Sequence, residues 1–434
     1  VAAIRGAQLG GEVTVIEDTE VGGTCLNRGC IPTKTLIASV EALHKVRHAD
    51  EFGIEIKGEI IFSMAKMMER KDKVVGNLVK GIRALFKSHG VNIVEGRGVI
   101  LSPTEVEVTA KDGLKSTIQA DKIIIATGSR PAKMALFPFD GEKVITSDEA
   151  LNLKETPKSV LIVGAGVIGC EFACILNELG SEVTIVEMMD RAVATEDPEI
   201  ASTLERELKK KKIKLISSAK ITKVEKVDGG VTATLEDGKT ITAEICLVSI
   251  GRALNTENIG LEKVGVSQGK RGEITVNERM ETNVPGVYAI GDVTGKIMLA
   301  HVASTQGLVA IENIMGHHRV MNYDVVPAGI FTMPEIGSVG LREHWASAQG
   351  IDVKIGRFNF RTLGKAQAMG EIAGMVKIIA DAKTDKVLGC HIIGAHATDI
   401  IHEAAVAMQK GMTVKELGET IHSHPTLSEA VMEA

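Results

Sequence analysis

The stretch Ser159–Glu187, SVLIVGAGVIGCEFACILNELGSEVTIVE, decides the fold. It opens on an unbroken apolar run, as a strand buried on both faces does. A glycine turn follows, Gly164-Ala165-Gly166-Val167-Ile168-Gly169, then an amphipathic helix and a second apolar strand. That strand ends on Glu187, 18 residues beyond Gly169. In this setting each glycine has a task. The first makes the tight turn, the second lets backbone approach a pyrophosphate, and the third lets helix and strand pack closely. The helix start adds unpaired N–H groups and the positive end of the dipole. A carboxylate at Glu187 would accept from a ribose 2′-hydroxyl and repel a 2′-phosphate, which favours NAD over NADP. Arg191 is the one contrary residue, and a single solvated arginine is its blander reading. A glycine turn that binds nothing is the competing explanation of the whole motif.

The same design recurs upstream. VTVIE (Val13–Glu17) reads as a buried strand ending on an acid, so the units around Glu17 and Glu187 look like a duplicated nucleotide-binding plan. The pattern is helical from Pro32 to about Val46 and from roughly Ser63 to His89. Short strands follow around 91–126, and KIIIATGSRP and GVYAIGD each run from a strand into a glycine turn. Residues 220–249 alternate as strands. From about Tyr323 strand-like runs mix with helices near 397–411 and 413–420, a third, α+β domain. The chain opens in an apolar, Ala-rich helix and stops in what reads as another, so both ends read as cut, and targeting segments are silent.

Composition narrows the function classes. The chain has 434 residues, enough for about three domains. Lys+Arg 50 against Asp+Glu 56 gives a net charge of −6, and aromatic residues are only 3%. A mildly acidic chain without a basic block or stacking platforms argues against nucleic acid as a partner. No apolar run reaches the ~18 residues of a membrane span. Six cysteines in this length make no disulfide scaffold.

Two of those cysteines are special. Cys25 and Cys30 flank Leu-Asn-Arg-Gly in a glycine-rich turn entering a helix, well placed for a redox pair. Cys30 sits just before the helix near Pro32, where the dipole stabilises a thiolate. A metal half-site or two buried thiols are the alternatives, but no second Cys/His cluster with zinc spacing accompanies the pair. Cys170, Cys174, Cys246 and Cys390 read as small core residues. Near the end, His424 precedes Pro425, and Glu429, about one turn into the next helix, could orient the imidazole as a general acid/base. A surface histidine at a helix start is the blander reading. Lys209–Lys212 reads as a solvated helix end, His317-His318 as a surface pair, and Met64, Met67 and Met68 as core.

VGGTCLNRGCIPTKTL closely resembles the active-disulfide segment of the pyridine nucleotide–disulfide oxidoreductases. ATGSRP, GAGVIGCEF, AIGDVTGKIMLAHVA and HSHPTLSEA match the family in the expected order, over essentially the whole chain. The resemblance implies an α/β fold with two Rossmann-like dinucleotide-binding domains, for FAD and NAD, plus a C-terminal α+β dimerisation domain. It divides the chain into 1–142 (FAD), 143–272 (NAD), 273–322 (a return to the FAD part) and 323–434 (dimerisation). The family's first FAD glycine turn is missing, and on the order of 10–15 residues are expected before Val1.

The resemblance also implies roles. Glu17 takes the adenosine ribose of FAD. Gly22, Gly23, Thr24 and Gly98 line the flavin cofactor, and Thr127, Gly128 and Ser129 close over the dinucleotide. Asp292 holds the ribityl chain, with Met298, Leu299, Ala300 and His301 beside the flavin. Lys34, paired with Glu171, sits by the reactive flavin nitrogen. Gly164, Gly166, Val167, Ile168, Gly169, Glu171, Glu187, Ile221 and Gly251 belong to the NAD side. Cys25 is the interchange thiol, Cys30 the charge-transfer thiol, and His424, oriented by Glu429 and contributed across a homodimer, the base. No metal is implied. The implied reaction oxidises protein-bound dihydrolipoamide with NAD+, with lipoyl domains of 2-oxoacid dehydrogenase or glycine cleavage complexes as partners, and a cytoplasmic setting. Sibling reductases are the nearest rivals. Glutathione-type enzymes read NADP with arginines where this chain has Glu187-Met-Met-Asp, and mercuric reductases carry a C-terminal cysteine pair where the last cysteine here is Cys390. A non-catalytic flavoprotein is the rival of another class.

Overall fold

The computed structural model describes residues 1–434, which divide into two compact units. The first gathers 1–35, 66–132 and 252–322. Its opening helix, Ala2–Gln8, leads into the strand Thr14–Glu17, paired in parallel with Asn92–Glu95. The helix Gly23–Arg28 and the first turns of the helix Cys30–Arg47 follow, and later nearly all of the long helix Met64–Ser88. Val21, Val79, Phe86 and Val91 bury against Val13, Val15 and Leu26 to anchor this layer. Ile123–Ile125 pairs in parallel with Val287–Ala289, and their side chains join Ile100, Ile259 and Val293 in a second core. The sequence pattern left Ala300–Ile314 unassigned; it is a helix, with Val302, Gln306, Val309 and Ala310 buried.

The second unit holds 36–65, 133–251 and 323–434. Its centre is a five-stranded parallel sheet. In spatial order the strands are Lys214–Ile216, Glu182–Val186, Ser159–Val163, Ile245–Val248 and Val144–Ile145. The chain winds outward from Ser159–Val163 to Lys214–Ile216, then returns on the other side of Ser159–Val163. Open α/β sheets bind ligands at such a reversal, outside the carboxyl ends of the strands. Val160–Val163 is fully buried, which is why its sequence shows no alternation. An antiparallel three-stranded sheet, Ile221–Val227, Gly230–Leu235 and Thr240–Ala243, takes the place of a crossover helix. The helix Pro198–Lys210 is capped by Asp197, whose carboxylate accepts from the Glu199 N–H at 3.0 Å, with proline in the first turn. Ile200, Leu204 and Leu208, four residues apart, form its buried stripe.

The C-terminal part is a five-stranded antiparallel sheet, in the order Ala328–Ile330, Glu335–Gly340, Val387–Gly394, Met375–Asp381, Val353–Asn359. The helix Ala397–Lys410 lies on it through Ala397, Ile400, Ile401, Ala404 and Ala405. Gly337 permits the approach, because a Cβ there would come within 2.9 Å of Ile401 Cβ. No helix is long and apolar enough to cross a membrane.

One feature of this sheet departs from the core-strand pattern. Ser338, His391, Lys377 and Arg357 stand opposite one another on four adjacent strands. Lys377 is 1% exposed, and its ammonium donates to Asp197 at 3.0 Å and to Glu199 at 2.8 Å. Arg357 donates to Glu199 at 2.6 Å, and Arg342 to Glu196 at 3.2 Å. Burial alone would lower the Lys377 ammonium, but its bonds to Glu199, Glu343 and Asp197 outweigh that and raise it. The Arg357 guanidinium holds the Glu199 carboxyl down to about 2, with Lys377 adding to the effect.

His391 is fully buried in this row, and burial pushes its imidazole down to about 4. The unfolded chain, at about 6.5, then binds the extra proton between roughly pH 6.5 and 4. Stability therefore falls as pH drops through that window, by up to about 1.4 kcal/mol per pH unit for this group, and is unaffected above it. Denaturant midpoints of wild type and His391→Asn across pH 4.5–7.5 check this. The wild type should lose more stability toward acid, and parallel curves would rule the histidine out as the cause.

Candidate functional site

Cys25 and Cys30 are joined as a disulfide, with Cα atoms 4.7 Å apart. Cys25 lies in the short helix Gly23–Arg28, which the sequence pattern had merged into the turn. Cys30 is itself the first residue of the 18-residue helix Cys30–Arg47, two positions earlier than the Pro32 start expected. Its sulfur therefore stands at a helix N-terminus, where the dipole favours a thiolate. Gly22 and Gly23 turn with φ +106° and +70°, a region open to glycine. Asn27, which sequence reasoning passed over, fixes that turn. Its side-chain amide donates to the carbonyls of Val21 at 3.1 Å and Gly23 at 3.0 Å. The only signal was its place between the two cysteines.

The flavin-side residues fall in the same unit. Glu17 ends its strand, and its carboxylate accepts from the Thr19 N–H at 3.0 Å. Gly98 packs against that strand, where a Cβ would sit 3.4 Å from Ile16 Cγ2. Ser129 Oγ donates to the Asp292 carboxylate, and Arg252 donates to Ser129 Oγ at 2.6 Å and Ser129 O at 2.7 Å. Thr127 Oγ1 donates to Asn255 O at 2.6 Å, which ties down the turn at Gly128, whose φ is +71°. Met298 precedes the Ala300–Ile314 helix, Leu299 is its N-cap without a side-chain cap, and Ala300 and His301 open it. Its first N–H groups thus face outward from the helix. An acid-ended strand, open glycine turns, a held carboxylate and an uncapped helix start are what a dinucleotide with a ribityl chain needs, so these residues fit FAD. Lys34 is half-buried in the first turns of Cys30–Arg47.

In the second unit Gly164 turns with φ +99°, and a Cβ there would lie 2.6 Å from Ser249 O. A Cβ on Gly169 would strike the Gly164 carbonyl, so helix Val167–Glu178 starts backbone against backbone. Gly166, by contrast, faces open space and is an N-cap without a side-chain cap. Val167 and Ile168 open the helix. Glu187 reaches the turn: its carboxylate accepts from Ala165 N–H at 2.6 Å and from Met189 N–H at 2.7 Å. The open Gly166 cradle, free helix start and adjacent carboxylate fit NAD. Gly251, φ +114°, follows the neighbouring strand across the topological reversal, while Ile221 is packed in the core at 5% exposure. Glu171, 3% exposed, accepts from the Phe331 N–H at 2.9 Å. Arg191 is not a free solvated charge, since its guanidinium donates to Asp190 at 3.0 Å and to Ala194 O at 3.0 Å.

Near the C-terminus His424 Nδ1 bonds the Glu429 carboxylate at 2.8 Å, and Nε2 lies outside that bond. Its side chain is 77% exposed. Glu429 is the first residue of helix Glu429–Glu433 rather than a turn inside it. The Thr426 N–H and then the His424 ring hold its carboxyl below the usual range. A second pair lies beside it: His422 Nε2 bonds Glu403, and Nδ1 donates to Thr420 O at 2.7 Å. Glu403 is 19 residues upstream, so spacing gave no sign of it. The remaining cysteines, 170, 174, 246 and 390, are buried. Burial pushes Cys174 up to about 11 and Cys246 up to about 12, and raises the other two as well.

Residues 1–307 match the family model of the pyridine nucleotide-disulphide oxidoreductases, and residues 326–434 match that of their dimerisation domain. Among curated relatives, a dihydrolipoyl dehydrogenase of Chlamydia trachomatis is 44% identical, over 100% of this chain and 93% of its own. One of Bacillus subtilis is 45% identical, over 100% and 94%. Among solved structures, LpdA of Mycobacterium tuberculosis superposes with a TM-score of 0.93 at 31% identity, covering 100% of this chain and 96% of its own.

Proposed function

This chain belongs to the pyridine nucleotide-disulphide oxidoreductases, and from that premise we propose that it is an NAD-dependent dihydrolipoyl dehydrogenase. The observation that carries the reading is the Cys25–Cys30 disulfide seated at a helix start within the flavin-side unit. Relatives that match over the whole chain bear that activity in their names.

The chemistry at the disulfide is thiol exchange. His424 Nε2 takes the proton of one substrate thiol, and Glu429, held on Nδ1, stabilises the imidazolium formed. The substrate thiolate attacks Cys25 Sγ. The Cys25–Cys30 bond breaks, and Cys30 leaves as a thiolate stabilised by the helix dipole. The second substrate thiol then closes on the mixed disulfide, which releases the cyclic disulfide and leaves Cys25 reduced. Bound there, FAD would supply a two-electron acceptor for the dithiol and a hydride donor for NAD+. Glu17, Gly22, Gly23, Thr24, Gly98, Thr127, Gly128, Ser129, Asp292 and residues 298–301 hold FAD, and Lys34 and Glu171 complete the catalytic set. The Gly164–Gly169 turn, Glu187, Ile221 and Gly251 serve NAD.

In this reading 1–142 and 273–322 bind FAD, 143–272 bind NAD, and 323–434 join two copies. The protein works as a homodimer in which His424 serves the disulfide of the other copy. Its partners are lipoyl domains of 2-oxoacid dehydrogenase or glycine cleavage complexes, and its setting is the cytoplasm.

The test is NADH formation from dihydrolipoamide and NAD+ by the FAD-loaded dimer. Turnover is expected, with NADP+ at least about tenfold poorer, and Glu187→Ala should shrink that preference by about a factor of ten, the size of one lost hydrogen bond to a charged group. A yellow, FAD-loaded dimer that forms no NADH would overturn the assignment and redirect the search to disulfide substrates reduced by NADPH.

A further inference from the structure

The chain carries two His–Glu pairs beside each other, and only His424–Glu429 has a task so far. His422 differs from it in burial. Its side chain is 5% exposed, against 77% for His424. Both ring nitrogens are occupied, Nε2 by Glu403 and Nδ1 by Thr420 O, so it cannot offer a lone pair to substrate. A ring that bonds a carbonyl through one nitrogen and a carboxylate through the other is doubly a donor, which is the imidazolium form. Burial works against that charge, but Thr420 O, Glu403 and Glu429 together raise the group above its ordinary value.

The charged groups facing His422 are Glu403, from helix Ala397–Lys410, and Glu429, from the last helix. The Cys390 thiol of the central strand, raised chiefly by burial, also feels the Glu403 charge. The groups follow one another as Glu403, His422, Glu429 and His424. Glu429 feels both imidazoles.

We propose that the Glu403–His422 pair is a positioning device that sets the basicity of His424 through Glu429. This rests on His424 being the base. It assigns His422 no contact with substrate, only a fixed charge behind the carboxylate that orients the base.

The two partners then have opposite effects. His422→Asn removes the cation and leaves Glu403 as an extra negative charge, so His424 holds its proton more tightly. The acid limb of the kcat/KM profile for dihydrolipoamide should move up by about half a pH unit, about a threefold loss of base at low pH. Glu403→Gln keeps the shape and removes one negative charge, with the imidazolium still held by Thr420 O and Glu429, and the limb should move down. The double variant should return toward wild type. A merely structural role would not give shifts of opposite sign.

The experiment uses FAD-loaded dimers of wild type, His422→Asn, Glu403→Gln, the double variant and His424→Asn. If His422→Asn does not fold, the isosteric Glu403→Gln carries the test alone, and an unmoved limb there overturns the proposal. Shifts in the same direction also overturn it. Wild-type turnover by His424→Asn would instead sink the base assignment on which the proposal stands.

Discussion

Serine in place of Cys25 or of Cys30 is expected to lower dihydrolipoamide oxidation by at least about a thousandfold, the scale of losing a covalent nucleophilic step. A hydroxyl cannot form the exchangeable bond, and its anion is far too basic to leave at neutral pH. No other thiol can stand in. Cys170, Cys174, Cys246 and Cys390 are buried, and burial raises each of them, so they offer neither access nor thiolate. The two variants should nevertheless bind FAD, because the Ser129–Asp292–Arg252 bonds and the Thr127–Asn255 tie do not involve the cysteines. They should also still oxidise NADH with an artificial electron acceptor, a route that bypasses the disulfide. Measuring both reactions on one preparation separates loss of chemistry from loss of fold. Appreciable dihydrolipoamide turnover by either variant would remove the disulfide from the mechanism.

The second large effect lies far from the redox turn. Lys377→Met should destabilise the protein by about 3–5 kcal/mol, the cost of stripping a buried charge of its partner. Asp197 is 0% exposed and bonds Lys377 through both carboxylate oxygens at 3.0 Å. Methionine fills the space but leaves that carboxylate uncompensated. Adding Asp197→Asn should recover part of the loss, since the amide oxygen can still cap the Pro198 helix. Denaturant midpoints at pH 7.5 for the three proteins decide the matter. A Lys377→Met loss under about 1 kcal/mol would show that the strip adds little.

The sequence made some of this legible because the relevant physics is local. Turn, helix and acid-ended strand in Ser159–Glu187 constrain one another within 29 residues, so the glycine turn and the Glu187 carboxylate follow from one window. The Cys25–Cys30 pair is equally local. Glu403 and Lys377 were not legible for the opposite reason. MVKIIAD shows a lysine between apolar neighbours, the ordinary mark of a solvent-facing position in a strand. Its partner Asp197 lies 180 residues earlier, and only the assembled sheet brings the two together. The Asn27 clamp fell between these cases, being local but made by a residue type that turns use everywhere. Pro32 marks a first turn without saying which position of it, and the helix in fact begins two residues earlier, at Cys30.

The row Ser338–His391–Lys377–Arg357 also bears on how this chain can be recombined. Read as text, the segment after Tyr323 looks like an exchangeable module with a clean seam in front of it. The ammonium and guanidinium groups of that module are answered by Glu196, Asp197 and Glu199, which belong to the preceding one. A chimera that grafts another C-terminal segment at the seam inherits one half of an ionic zipper without the other. To be transplantable, the segment has to travel with the loop and helix start at 196–199, so the heritable block is discontinuous in sequence although contiguous in space.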